Sequence, residues 1–430
     1  MGNHSFTRRE FMGAGAAVAA GLVAGRGLQP SAHRSIEDAR PQFADLTSSS
    51  GALNLYWATM APTSAQTQLV DGFTKATGIK VNPIIEPSDY ATFVEKITAV
   101  LSSGYTGYDV IYYDDFTLKT FGAAGWMLPL DDYVPKSTIS SLSKTHVDLS
   151  SYNGKVYRIP LNQQFIVQFY RKDLLKAAGV AVPTTWAELL SAGRTLTKNG
   201  KYGIGLTGTP AEAFDDFLYY IPQAGGTFLN LESPATQSAL EFLHELVTTY
   251  KVVPPSYVTD SYTNMPTYVE QGYVAIWASW VGFLGSFVSD TKFWNGGNTL
   301  AMAKPAKGPV SNITTVGDWG LGVPTFSPRQ QEAVKFIAYA TSAPSELLLA
   351  QTQAIPARQD AVVAAEKVLQ DGSEVAAIVS ATPQAPRPIT PEITLIENSV
   401  PPILVDYVAG KTSLKTAVNS GQAILKKYSS

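Results

Sequence analysis

The chain contains no cysteine. That excludes a disulfide, a thiolate nucleophile, a cysteine-based metal site and an acylated-cysteine anchor. Histidine is scarce, with His4, His33, His146 and His244 scattered and the first two in the N-terminal tail. No spacing among them suits a local zinc site, so no metal is expected. Charged residues make up 16% of the chain, well below the usual quarter, and nearly balance at −3. No long basic block is present, which argues against a nucleic-acid partner. Beyond the N-terminal tail no apolar run reaches the roughly 18 residues of a membrane span. Enzyme signatures are missing too: there is no GxSxG elbow, HExxH, P-loop or Rossmann fingerprint. The pairs Gly203/Gly205 and Gly320/Gly322 lack the pattern that surrounds a nucleotide site. Carboxylate pairs occur at Asp114-Asp115, Asp131-Asp132 and Asp215-Asp216, but nothing in the sequence sets two carboxyls at a glycosidase separation.

What is present is a chain of 430 residues, too long for one ordinary core, so two domains are expected. Apolar residues make up 45% and aromatic ones 11%, with 21 tyrosines and 7 tryptophans. With so little charge, the surface must carry Ser, Thr, Asn, Gln and Tyr. At the N-terminus Thr7-Arg8-Arg9-Glu10-Phe11-Met12 precedes a small-residue apolar run from Gly13 to Gly25, then Arg26 and Pro30-Ser31-Ala32. These are the parts of an export signal over residues 1–32, and the paired arginines point to the twin-arginine route. Residues 33–50 read as a polar linker.

The first third alternates strand and helix. Strands are expected at Ala52–Trp57, Ile79–Ile85 and Asp109–Tyr113, with helices at Ala65–Thr77 and from Tyr90, where Phe93, Val94, Ile97 and Leu101 recur at helical spacing. This order predicts an α/β fold with a parallel sheet. The stretch Tyr152–Leu190 reads as a short strand ending at Ile159-Pro160, a polar elbow at Asn162-Gln163-Gln164, and a dense apolar run from Phe165 to Tyr170. Two lobes meeting at that elbow organise the rest. Phe214, Asp215, Asp216 and Tyr219-Tyr220 fall in an expected loop region, and the last third reads as mainly helical.

The strongest chemical signal is aromatic residues beside small or polar ones at strand exits. In open parallel sheets, ligands sit beyond the carboxyl ends of the strands. Flat rings cover the C–H face of a sugar, while Asp, Asn, Gln and Arg bind its hydroxyls. The candidate ligand-binding residues are Trp57, Asp114, Asp115, Asn162, Gln163, Gln164, Trp280, Asp318, Trp319, Arg358 and Arg387. No catalytic residue and no cofactor is expected, and Trp126 and Trp186 are read as structural. The candidates favour a neutral polyhydroxy ligand, while the aspartates leave a cationic one open.

Several segments occur in an ordered series: Phe73-Thr74-Lys75-Ala76-Thr77-Gly78, Tyr108-Asp109-Val110-Ile111, Gly125-Trp126-Met127-Leu128-Pro129-Leu130, Tyr152-Asn153-Gly154-Lys155, Tyr170-Arg171-Lys172-Asp173-Leu174-Leu175 with Pro183-Thr184-Thr185-Trp186, and Gly272-Tyr273-Val274-Ala275-Ile276. In this order and spacing the chain, from Gly51 onward, resembles the extracellular solute-binding proteins of carbohydrate ABC importers, the maltose-binding type among them. The resemblance implies a two-lobe periplasmic-binding-protein fold with multiple interlobe crossovers and a central ligand cleft. It places lobe one at 51–162 plus 323–372 and lobe two at 163–322 plus 373–430. The implied role is to capture a neutral sugar, oligosaccharide or polyol, as a monomer without catalysis, and to deliver it to transmembrane permease subunits. The missing lipoprotein cysteine favours a free periplasmic protein. An exported carbohydrate-active enzyme remains the other class, and within the binding class a glycerophosphodiester, polyamine or peptide is the alternative solute.

Overall fold

The computed structural model describes residues 46–58, 63–86, 90–370, 372–388 and 390–428. The expected export signal and most of the expected linker lie outside the described residues. Strands β1 (Leu53–Ala58), β2 (Val81–Glu86) and β3 (Val110–Asp114) alternate with the helices Thr63–Thr77 and Tyr90–Ser102. In the second helix Phe93, Val94, Ile97 and Leu101 are buried on one face, as their spacing requires. β1 pairs in parallel with both β2 and β3, a geometry that only a crossover connection can produce. β4 (Ser151–Tyr152) and β5 (Lys155–Val156) form a tight hairpin. Its turn residues Asn153 and Gly154 both have positive φ, at 48° and 73°, the conformation for which Asn-Gly is favoured.

The remaining strands are β6 (Ile159–Arg171), β7 (Tyr202–Gly205), β8 (Val274–Trp280), β9 (Leu300–Ala303), β10 (Thr314–Gly322) and β11 (Gln384–Pro386). Hydrogen bonds connect them in the order β2-β1-β3-β10-β6-β8-β7, with β11 on β10 and β9 on β6. Two hydrophobic cores flank the middle of this path. The first gathers β1 and β3 with helices that include Gln330–Ala340, and the second gathers β7, β8 and β9 with helices that include Pro210–Gln223 and Ile393–Val408. The molecule is thus a mixed α/β fold of two lobes.

Two strands run from one core to the other, side by side and antiparallel. On β6, Ile159 and Leu161 belong to the first core, while Phe165, Ile166, Val167 and Phe169 belong to the second. On β10, Val316 belongs to the second core, while Trp319 and Leu321 belong to the first. The expected elbow at Asn162-Gln163-Gln164 is not a break. The chain stays extended for 13 residues, because Asn162, Gln163 and Gln164 pair in register with Trp319, Asp318 and Gly317. β10 satisfies the backbone on one side, with one register shift between Trp319 and Gly320, and on the other the Gln163 amide donates to the Ile355 carbonyl at 2.9 Å.

A second difference concerns Phe214 to Tyr220. This segment is not a loop but the middle of the helix Pro210–Gln223. Every residue from Ala213 to Ile221 is buried. Pro210, Pro222 and the adjacent carboxylates Asp215 and Asp216 read as loop residues, but Pro210 opens the helix and both carboxylates are buried against Tyr262, Trp280 and Thr207.

Candidate functional site

The crossing strands carry a buried polar system. Arg158, just before β6, donates to both Asp318 Oδ1 and the Asp318 carbonyl. His146, capped into its short helix by Ser143, lies with Nδ1 2.7 Å from Asp318 Oδ2 and Nε2 3.3 Å from Gln163 Oε1. Burial alone would raise the Asp318 carboxyl, but Arg158 and His146 outweigh it and hold the group below the usual carboxylate range. The Gln163 amide donates to the Pro356 carbonyl at 2.9 Å, and Asn162 Oδ1 accepts from the Tyr112 hydroxyl at 3.1 Å. Gln164 Oε1 accepts from the Gly282 amide at 2.9 Å, just beyond β8. Asp318, Asn162, Gln163 and Gln164 therefore all bond within the protein, where they tie the two crossing strands to their surroundings.

At the carboxyl end of β3 a second cluster forms. Arg387, reached from β11, donates through Nη2 to Asp115 Oδ1 at 2.5 Å and to Asp114 Oδ2 at 3.2 Å, and through Nε to Asp115 Oδ2 at 3.1 Å. Asp115 Oδ1 also accepts from the Asp318 amide at 2.9 Å, which joins this cluster to the crossing. The Tyr90 hydroxyl donates to Asp114 Oδ2 at 2.7 Å, while Asp114 Oδ1 is buried without a hydrogen-bond partner. The Arg387 guanidinium lies 5.1 Å from the centre of the Phe116 ring and 5.3 Å from that of Trp280, within cation–π range of both. The Trp280 indole N–H donates to Asp215 Oδ2 at 2.6 Å, and the Tyr262 hydroxyl donates to the same oxygen at 2.8 Å. One arginine thus spans from two aspartates at the edge of the first core to a tryptophan packed on the second.

The electrostatics follow from this enclosure. Burial raises Asp114 above its ordinary range although Arg387 pulls the other way. Burial pushes Asp215 up to about 6, against the opposing effects of Arg387, Trp280 and Tyr262. Glu397, in the helix Ile393–Val408, is raised well above the usual range by burial and then by the charges of Asp215 and Asp114.

Of the other expected site residues, Trp57 and Arg358 sit elsewhere and Trp319 borders the cluster. Trp57 is 1% exposed and stacks on Tyr112 within the first core. Trp319 is 8% exposed and packs against Tyr112 and Phe93, with an edge contact to Tyr90 that places it beside the Asp114 cluster. Arg358 turns its guanidinium to Asp360, at 2.8 and 2.9 Å, and its backbone amide donates to the buried Glu346. The structure therefore brings Asp114, Asp115, Trp280 and Arg387 together. It adds Tyr90, Asp215, Tyr262 and Glu397, which no local pattern marked as partners. Asp215 stands out in the sequence only as half of an acidic pair, and Glu397 carries no signal at all. Among the described residues, no group of three or more His, Asp or Glu side chains is disposed to hold a metal ion.

Comparison with known proteins bears on the fold and the family. The chain is 23% identical over 282 residues to the mannitol-binding protein of Pseudomonas aeruginosa, covering 61% of this chain and 62% of that one. The chain thus aligns with about three-fifths of that curated relative's length. In fold it is similar to maltose-bound MalE3 of T. maritima, with a TM-score of 0.76, 21% identity, and coverage of 87% of this chain and 99% of that one. A solute-binding protein of Agrobacterium vitis with bound D-mannitol gives a TM-score of 0.72 at 23% identity, over 87% of this chain and 97% of that one. The sequence model described as "Bacterial extracellular solute-binding protein" matches residues 57–346, about two-thirds of the chain. The chain belongs to the bacterial extracellular solute-binding protein family.

Proposed function

We propose that the protein captures a sugar, oligosaccharide or polyol between its lobes and delivers it to the permease of an ABC importer. The observation that carries this reading is the cluster of Asp114, Asp115, Arg387 and Trp280, in which groups from both sides of the crossing meet. Carboxylates and a guanidinium bind hydroxyls, and an indole face covers the C–H side of a ring or chain. A solute that touches both sides stabilises the closed arrangement of the lobes, and the permease then reads that arrangement. The role needs capture and release but no bond cleavage, which fits a family of binding proteins. The mannitol-binding relative and the maltose- and mannitol-bound neighbours support a polyhydroxy solute. Asn162, Gln163, Gln164, Asp318 and Trp319 are assigned to the frame of the cleft, and export to the periplasm follows from the family role.

A thermal-shift screen against sugars, polyols, amines, phosphodiesters and short peptides tests the proposal. A ligand of the native state stabilises it by about 2.7 kcal/mol at a hundredfold excess over Kd. The expected result is a shift with a polyhydroxy compound that is not consumed. Trp280→Ala should remove most of that shift while lowering the unliganded Tm far less. A shift confined to peptides or phosphodiesters, or turnover of the compound, would overturn the assignment.

A further inference from the structure

We infer that the polyhydroxy solute of the Asp114–Trp280 site carries a basic nitrogen, as an amino sugar or amino-polyol does. The inference rests on the reading of that site as one for sugars or polyols, and it starts from an imbalance of charge. Asp114 and Asp115 at the end of β3 bond the Arg387 guanidinium, and the same guanidinium is the opposing charge for Asp215 in the helix Pro210–Gln223 and for Glu397 in the helix Ile393–Val408. Arg158 also acts on Asp114, but its guanidinium is bonded to Asp318. Glu212 adds further negative charge beside Asp215 and Glu397. The other donors to these carboxyls, the Tyr90 and Tyr262 hydroxyls and the Trp280 indole N–H, bring no positive charge.

A second observation concerns hydrogen bonding. Asp114 is 1% exposed, and its Oδ1 is buried without a partner beside an Oδ2 that already takes Tyr90 and Arg387. A buried acceptor left unmade is costly, so the site lacks a donor. An ammonium supplies three donors and no acceptor, together with the missing charge, whereas a hydroxyl brings one donor and no charge. A third observation shows that a cation is at home here. The Arg387 guanidinium already lies over Phe116 and Trp280, whose negative ring faces favour a cation.

The same enclosure predicts a proton signature. Burial raises Asp114, Asp215 and Glu397, so without a bound cation the site relieves part of this imbalance by holding protons on its carboxyls. A cation arriving beside them favours their ionised forms, and binding then releases protons. A neutral isostere exerts no such pull.

The experiment is titration calorimetry on the full chain with matched pairs: D-glucosamine against D-glucose, D-galactosamine against D-galactose, and 1-amino-1-deoxy-D-sorbitol against D-sorbitol. Each pair is measured at about pH 5 and about pH 6.5, both below the range in which the ligand ammonium titrates, in buffers of different ionisation enthalpy. The expected result is that the amine member of a pair binds at least about tenfold more tightly at the higher pH, a difference of about 1.4 kcal/mol. Its binding releases protons, and its advantage shrinks as pH falls through the Asp215 range. Glu397→Gln should reduce that advantage severalfold; should the variant fail to fold, the pH dependence of the wild-type protein carries the test. Equal or weaker binding of every amine would overturn the inference and leave sugar capture standing. Binding of no member of any pair would overturn the reading of the site itself.

Discussion

Asp215 and Asp216 are adjacent in sequence, yet the helix turns them to different surroundings. Asp215 meets Trp280, Tyr262 and the field of Arg387. Asp216 accepts from the Thr207 amide at 2.7 Å and the Thr207 hydroxyl at 2.9 Å, and burial pushes it up to about 8. Its protonated form is therefore favoured more in the folded chain than in the unfolded one. The associated stability is complete below the unfolded carboxylate range and is lost as pH rises toward about 8. Asp216→Asn keeps an acceptor for Thr207 but cannot ionise. Its Tm relative to the wild type should rise steadily between about pH 4 and about pH 8, and a flat difference across that range would contradict the assignment. Tryptophans divide in a similar way. Trp186, read as structural from the sequence, donates to Gln223 at 2.7 Å and stacks on Phe242 at 4.3 Å. The role of Trp280 depends on Asp215, 65 positions earlier.

Among the elements, the continuous strand β6 matters most, because its two halves belong to different cores. Its neighbour β10 crosses in the opposite direction, and the pair joins the lobes through a backbone ladder braced by Arg158, Asp318 and His146. Such a pair resists separation of the lobes while leaving their relative rotation to the residues at the crossing. In the second lobe, the helix Trp186–Leu196 lies so close to β7 that a Cβ at Gly203 would stand 2.4 Å from the Gly193 carbonyl oxygen. Backbone cannot yield as a flexible side chain can. Gly203→Ala should cost about 1–3 kcal/mol in urea unfolding without altering the polar cluster. Helices with one buried face were legible from spacing. The helix Pro210–Gln223 was not, because its prolines and its adjacent carboxylates read as loop residues and the groups that bury Asp215 and Asp216 lie outside the helix.

For the whole molecule, the two cores and the paired crossings make relative lobe motion the natural response to a solute that touches both. The radius of gyration measured by small-angle X-ray scattering should fall when a saturating ligand is added. An unchanged value with demonstrated binding would mean that capture proceeds without closure. The Arg387 contacts bear on the same equilibrium, since they join the aspartates of β3 to Trp280.

The sequence by itself determined the lobe-building units. Apolar periodicity marked the first three strands and their helices, since each such element buries a face set by its own repeat. It also carried the family resemblance and singled out Asp114, Asp115, Trp280 and Arg387, four candidates that the fold brings together. Only the tertiary structure decided which polar residues bond one another. Arg387 meets Asp115 across 272 positions, and Arg158 meets Asp318 across 160. Pairings of that range leave no local pattern, because a buried charge is constrained by what lies beside it in space and not by its neighbours along the chain.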